Sequence, residues 1–220
     1  MDANVVLDVG LQIPVGDTAA EDARWDVLVQ NVLASGADVA MLVGGERAGI
    51  RNLAFNDVEM DLYEMNSETF TNLSESVTPD MAEGGISLTG LTEQEIWDDP
   101  LTQANCVVPF KEANPDMVVE GPDLFDEGEE EWYQSIMNYC RWLELFVMIA
   151  EAAGPDLTHE TFLAAAESMS DFVLPGQPHN SLAPGKYDAS DSFRLSVFDS
   201  TSGGDQGALV PLTGILDGTP

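Results

Sequence analysis

Two short segments hold residues that could meet a small polar molecule: Gly44-Gly45-Glu46-Arg47 and Tyr63-Glu64-Met65-Asn66. Paired glycines let a ligand approach the backbone closely and expose amides where a helix begins. Glu46 or Glu64 can pair with an ammonium group, and Tyr63 can pack against an aliphatic chain. Without a ligand the same residues are ordinary strand-to-helix turns with solvated carboxylates. Nothing else in the chain suggests chemistry. His159 and His179 are the only histidines, and neither has an HExxH or facial-triad companion. There is no Gly-x-Ser-x-Gly elbow, phosphate loop or Gly-x-Gly-x-x-Gly fingerprint, so no catalytic residue is assigned. Cys106 and Cys140 lack Cys-x-x-Cys partners, which argues against a zinc or redox site. The run Asp126-Glu127-Gly128-Glu129-Glu130-Glu131 lacks the alternating Asp/Asn of a calcium loop and reads as the acidic start of a helix. No metal and no cofactor is expected.

The elements that carry these residues alternate in the first half. Val5-Val6-Leu7 reads as a strand. A helix comes next, with capping-box spacing at Thr18 and Glu21, a stripe of Trp25, Leu28, Val29, Val32 and Leu33, and a stop at Gly36. Asp38 to Val43 is nearly all apolar, as in a strand buried on both faces. A helix over Glu46–Phe55, a strand at Met60–Tyr63, a short helix at Ser67–Leu73 and a strand at Gly85–Thr89 complete the rhythm. Strand, helix and strand in this order predict right-handed βαβ units and a parallel sheet. The candidate loops then succeed two strands at their carboxyl ends, where open α/β sheets bind ligands.

The second half is more helical. Asp99 caps a helix with Pro100 at its first position, running to about Ala113. A long amphipathic helix spans Glu129 to Ala153, its stripe of Trp132, Ile136, Tyr139, Leu143, Phe146, Val147 and Ala150 facing a core. Thr158 caps a shorter helix through Met169, and Phe193–Phe198 and Ala208–Leu212 read as strands around Ser202-Gly203-Gly204.

Composition removes whole classes of partner. The 220 residues hold 40 acids and 7 scattered bases, a formal net charge of −33. Phosphate binding draws on clustered Lys and Arg, so nucleic acid is close to excluded as a direct partner and an anionic membrane surface is disfavoured. The 44% hydrophobic content supports a real core rather than disorder. No apolar run reaches the length of a membrane span, so no direct membrane insertion is expected. The amino terminus does not read as a signal peptide. Acids spread along the whole chain suit a saline or marine setting, where screening quiets their repulsion.

The order of motifs resembles the carboxy-terminal half or more of type I periplasmic solute-binding proteins, the branched-chain amino-acid-binding class that feeds ABC transporters. The pieces are Gln12-Ile13-Pro14-Val15-Gly16-Asp17, Gly36 to Gly45, Ala82-Glu83-Gly84-Gly85-Ile86, and Asp99-Pro100 leading to Asn114-Pro115. Ala152 to Thr158 and Leu182-Ala183-Pro184-Gly185-Lys186-Tyr187 continue the series. The resemblance implies an α/β fold with Rossmann-like parallel sheets, flanking helices and two lobes, one of them incomplete. Residues 1–85 would be most of the second lobe, 86–192 the later part of the first, and 193–220 strands returning to the second. The opening half of the first lobe and its signal sequence would be missing, along with many contacts to the ligand's α-carboxylate and α-amino groups. The same resemblance places ligand contacts in the two loops named above.

The resemblance implies a non-enzymatic, periplasmic or extracellular component that binds an amino acid or similar small polar molecule by hinge closure and docks on an ABC transporter permease. Export would permit a disulfide between Cys106 and Cys140, on helices expected to be neighbours; two buried free thiols are the alternative. Two other classes remain: a small α/β hydrolase or amidase, which would need a nucleophile–base pair, and a cytosolic ligand-sensing regulatory domain, which usually carries a DNA-binding segment.

Overall fold

A computed structural model describes residues 5–10, 18–43, 46–64, 78–124 and 132–220. In chain order its elements begin with α1 (Thr18–Ser35), β1 (Val39–Leu42), α2 (Glu46–Phe55), β2 (Asp61–Glu64) and β3 (Ile86–Thr89). Next come α3 (Glu93–Asp98), α4 (residues 100–113), α5 (Tyr133–Ala153) and α6 (His159–Ala166). The remainder is β4 (Phe172–Leu174), β5 (Gln177–Asn180), β6 (Ser192–Asp199), β7 (Ala208–Pro211) and β8 (Leu216–Asp217). The chain divides into two units, one of residues 1–89 and 194–214, the other of residues 90–193 and 215–220.

The first unit is built on a sheet of order β1-β2-β3-β6-β7. β1, β2 and β3 run parallel, as the strand–helix–strand rhythm requires, while β6 and β7 are antiparallel to their neighbours. Gly36, at φ +67°, ends α1 in the left-handed region that favours glycine. Val29 of α1 and Ile50 and Leu53 of α2 meet Leu62, Ala82 and Phe198 in one core cluster. Alternation along the strands sends Ala40, Leu42 and Leu209 to this same core.

The other face of the sheet departs from expectation. Val39 and Met41 are exposed, Met41 to 65%, so β1 is not buried on both faces. Both described helices of this unit pack into the one core cluster, and β1 ends the sheet, so its outward side chains have no cover among the described residues. Val5 and Val6 are likewise exposed, and residues 5–10 form no strand. A strand exists only where a neighbour takes its backbone hydrogen bonds, and this segment pairs with no described strand.

The second unit relies on helices, caps and a covalent link. Thr92 caps α3 in a capping box with Glu95, and Thr158 caps α6 in one with Thr161. Asp99 caps α4 as its sequence implies. Its Oδ2 accepts from the Thr102 amide at 2.8 Å and hydroxyl at 3.1 Å, and from the Gly176 amide at 3.2 Å in the turn between β4 and β5. α4 contains a π turn over Gln103–Val107, where Val108 donates to the Gln103 carbonyl five residues back. Pro109 lies just beyond, with no N–H to give and a ring that crowds the preceding turn, a usual reason for such a widening. Cys106 sits in that turn and is bonded to Cys140 of α5, with Cα atoms 5.7 Å apart. The bond borders a core of Trp97, Val107, Val119, Tyr133, Ile136 and Met137. Arg141 donates from Nε to the Pro175 carbonyl at 3.0 Å, and burial holds its guanidinium pKa below the usual value.

α5 gives the second departure. Its buried residues are Tyr133, Ile136, Met137 and Ile149. Tyr139, Leu143, Phe146 and Val147, expected in the core, are exposed, and so is Trp142 beside them. The helical period places these side chains on a common stripe, but periodicity alone does not supply the surface that covers it. The short helix expected at Ser67–Leu73, the Glu21 cap of Thr18, and the acidic run Asp126–Glu131 fall outside the described residues and side chains.

Candidate functional site

The geometry that makes a site possible is the pairing of β1 with β2. Val39 faces Asp61 and Leu42 faces Glu64 in a parallel ladder, so both strands finish at one end of the sheet. The segments beyond them therefore start side by side. α2 begins at Glu46, directly after the first of these segments, so its amino end belongs to the same rim. Gly44, Gly45, Met65 and Asn66 lie outside the described residues, and the side chains of Glu46, Arg47 and Glu64 are outside them too.

Tyr63 is described, and it is 38% exposed. Register puts it across from Met41 on one side and Ile86 on the other, and Ile86 in turn faces Val197. Val197 faces Val210, so one apolar row crosses five strands on the face away from the Phe198 core. Tyr63 can therefore offer an aromatic surface at the exposed face close to the strand end. This row arises from the alternation of each strand, but no single strand reveals it; only the register does.

Gly49 also positions the rim, although it lies outside the two candidate segments. A Cβ there would lie 2.9 Å from Leu42 Cδ1, so the glycine lets α2 lie close against the end of β1. A glycine in mid-helix is the only local signal for this.

The second unit contains a different concavity. A cavity of about 200 Å³ is lined by Leu145, Ile149, Leu163, Leu182 and Tyr187, with Lys186 among its walls. Lys186 is already committed: its Nζ donates to the Ser181 carbonyl at 2.7 Å and to the Asp188 carbonyl, and lies 3.2 Å from Asp191 Oδ1. The lining is mostly suited to an aliphatic group, and Glu167 adds a carboxylate to its walls. His179 Nδ1 stands 3.7 Å from Asp217 Oδ2. Among the described residues, no three His, Cys, Asp or Glu side chains gather in a way that could hold a metal ion. No described helix is long and apolar enough to cross a membrane.

No protein-family model and no curated protein sequence matches the chain. Solved structures do. The leucine-, isoleucine-, valine-, threonine- and alanine-binding protein from Brucella ovis superposes with a TM-score of 0.54 at 11% identity, over 88% of this chain and 47% of that one. This chain has a mixed α/β architecture that resembles the periplasmic-binding-protein-like I fold. A solute-binding protein of an ABC transporter from R. palustris, in complex with 4-hydroxybenzoate, gives 0.53 at 16% identity, over 96% of this chain and 52% of that one. A leucine-binding protein from Thermotoga maritima gives 0.52 at 12% identity, over 88% and 48%. The chain thus spans about half the length of the structures it matches.

Proposed function

We propose that these residues form part of an extracytoplasmic solute-binding component of an ABC transporter, taking an amino acid, branched-chain-like, or a similar small polar molecule. The observation that carries this reading is the side-by-side finish of β1 and β2 in a fold shared with binding proteins for leucine and its relatives. The segments Gly44-Gly45-Glu46-Arg47 and Tyr63-Glu64-Met65 form one jaw. The glycine amides and the start of α2 attract a carboxylate, the two glutamates attract an ammonium group, and Tyr63 meets the side chain.

In this reading residues 1–85, with strands returning from the 193–220 tail, belong to the second lobe of the fold. Residues 86–192 belong to the first. The chain passes between the two units at 89/90, 193/194 and 214/215, which suits a hinge. Solute contacts on both lobes would favour the closed form, and the closed form would dock on a permease. The Cys106–Cys140 bond supports an oxidising compartment, as expected outside the cytoplasm.

The test is chemical-shift mapping on the isotope-labelled 220-residue chain, titrated with single amino acids to millimolar concentration. The expected result is a weak, saturable response of amides in 43–47 and 64–66 to a subset of amino acids, abolished by Gly45→Val and kept by Glu127→Ala. Thermal unfolding of the chain alone should barely move. A solute at 100 times its dissociation constant adds about 2.7 kcal/mol, so a large rise in Tm would mean that both walls of the cleft are already within these residues. Shifts confined to other regions, or no response to any amino acid, would remove the jaw.

A further inference from the structure

The cavity of the second unit takes no part in the proposed jaw. Its walls come from three stretches of that unit: Leu145 and Ile149 of α5, Leu163 and Ala166 of α6, and the turn of residues 182–187. At about 200 Å³ it exceeds the roughly 150 Å³ at which an apolar cavity holds a benzene-sized molecule. Two charged residues reach its walls, and they are not equivalent. Lys186 lends its stem, while its Nζ donates to the Ser181 carbonyl and lies 3.2 Å from Asp191 Oδ1, so a buried carboxylate already balances its charge. Glu167 is half-buried, and among the described residues its carboxylate takes part in no hydrogen bond or ion pair. It stands just past the carboxyl end of α6, where its amide donates to the Leu163 carbonyl and the helix dipole adds negative potential. The last turn of α6 has no basic residue to answer that potential. Tyr187, 84% exposed, brings an aromatic ring to the solvent side of the cavity.

We propose that this cavity is a second binding site, and that it takes a small aliphatic ammonium ion. The hydrocarbon walls hold the alkyl group, the Glu167 carboxylate accepts from the ammonium N–H groups, and the face of Tyr187 offers a cation–π contact. The same features select against close analogues. An alkyl carboxylate meets Glu167 and the end of α6 with like charge, and the one cation in the walls is held by Asp191. A zwitterionic amino acid has to leave its carboxylate there without a partner, which separates this cavity from the jaw at the ends of β1 and β2. A neutral alcohol of the same shape keeps the apolar contacts and loses the charge attraction. Charge by itself draws cations to all of a chain with a net charge of −33, so selectivity rests on the shape of the cavity around Glu167.

The test is a titration of the methyl-labelled 220-residue chain at fixed ionic strength, with isopentylammonium, isopentanol and isovalerate as probes. At millimolar concentration isopentylammonium should give saturable shifts at the methyls of Leu145, Ile149, Leu163 and Leu182. Isopentanol should give weaker ones at the same methyls, and isovalerate none. Glu167→Gln should weaken the ammonium about tenfold, through loss of a charge-assisted hydrogen bond, and leave the alcohol unchanged. Glu167 is half-buried at a helix end, so this variant should keep the methyl shifts of Ile136 and Met137 beside the disulfide. Ala166→Leu, which fills the cavity, should abolish both responses with those same core shifts in place. The site stands or falls apart from the jaw: a leucine response in 43–47 and 64–66 bears on the proposed function alone. Shifts spread over the acidic surface, or an isovalerate response equal to the ammonium's, overturn the proposal. So does a Glu167→Gln variant that binds the ammonium as tightly as the parent, or a cavity that answers to none of the three probes.

Discussion

The two units solve the same problem with different means. In the first, a sheet draws together residues far apart in sequence: Phe198, in β6, is fully buried against side chains of α1, α2 and β2. In the second, helices gather around Trp97, Val107 and Ile136 beside a bond between Cys106 and Cys140, 34 positions apart. Each unit nevertheless leaves one apolar face open, the Met41–Tyr63 side of the sheet and the Trp142–Phe146 side of α5. A unit with a five-stranded core sheet can hold itself by long-range packing; one with only the β4–β5 hairpin relies on a covalent link and well-made helix caps. The contrast predicts that different perturbations will unfold the two units separately.

The largest effect is expected from Phe198→Ala. Removing a buried aromatic side chain costs about 3–5 kcal/mol through lost transfer energy and the cavity left behind. Gly207, at φ +72°, packs so closely against Phe198 that even a Cβ there would collide with the ring, so the site is tightly filled. Urea unfolding monitored by hydrogen exchange should show early loss of protection in β2, β3 and β6, while α5 and α6 keep theirs. Simultaneous loss in both units would show that the division into a sheet-held and a link-held unit has no energetic meaning.

Reduction of the disulfide tests the other side. Opening a loop of this size should cost roughly 3–4 kcal/mol on the chain-entropy model. Dithiothreitol is therefore expected to lower the urea midpoint of the helical unit, read by exchange at Ile136 and Ile149, and to leave amides around Ile50 and Leu62 unchanged. An equal shift in both units would mean that the link stabilises the chain as a whole.

Much of this architecture is legible in the sequence because its signals are local. The bounds of α2 come from its apolar spacing between two turns, and the Asp99–Pro100 start of α4 from the chemistry of a cap and a ring without an N–H. A link between Cys106 and Cys140 can be argued from residue count and export, but their proximity requires the fold. What local signals cannot supply is cover. The apolar run Val39–Leu42 is half exposed, Val5 and Val6 are unpaired, and the α5 stripe points outward, each because burial is set by a neighbour in space. The candidate jaw is legible in the same partial sense. The order of strands and turns implies it and the β1–β2 ladder supports its placement, whereas the row from Met41 through Tyr63 to Val210 depends on register across five strands.

The smallest effect concerns how the sheet unit closes its own turn, without help from a covalent link. After β6 the chain reverses around Asp199, whose Oδ1 accepts from the Thr201 amide at 2.8 Å and hydroxyl at 2.7 Å, while Oδ2 accepts from the Ser202 hydroxyl at 2.8 Å. These hydrogen bonds, the Thr201 hydroxyl foremost, hold the Asp199 carboxyl pKa below its usual 3.8. A carboxylate with a folded-state pKa below its unfolded value contributes stability above the unfolded pKa and loses it as pH falls through the folded one. The clasp should therefore be intact at neutral pH and release only in acid below the ordinary carboxylate range. A carboxyl carbon titration should place the Asp199 midpoint below 3.8. Thr201→Val keeps the amide and removes the hydroxyl, so the midpoint should rise toward 3.8 with little change in unfolding at neutral pH. An unchanged midpoint in that variant would show that the backbone amide and Ser202 hold the turn by themselves, and that the sheet unit has less local support at this reversal than its hydrogen bonds imply.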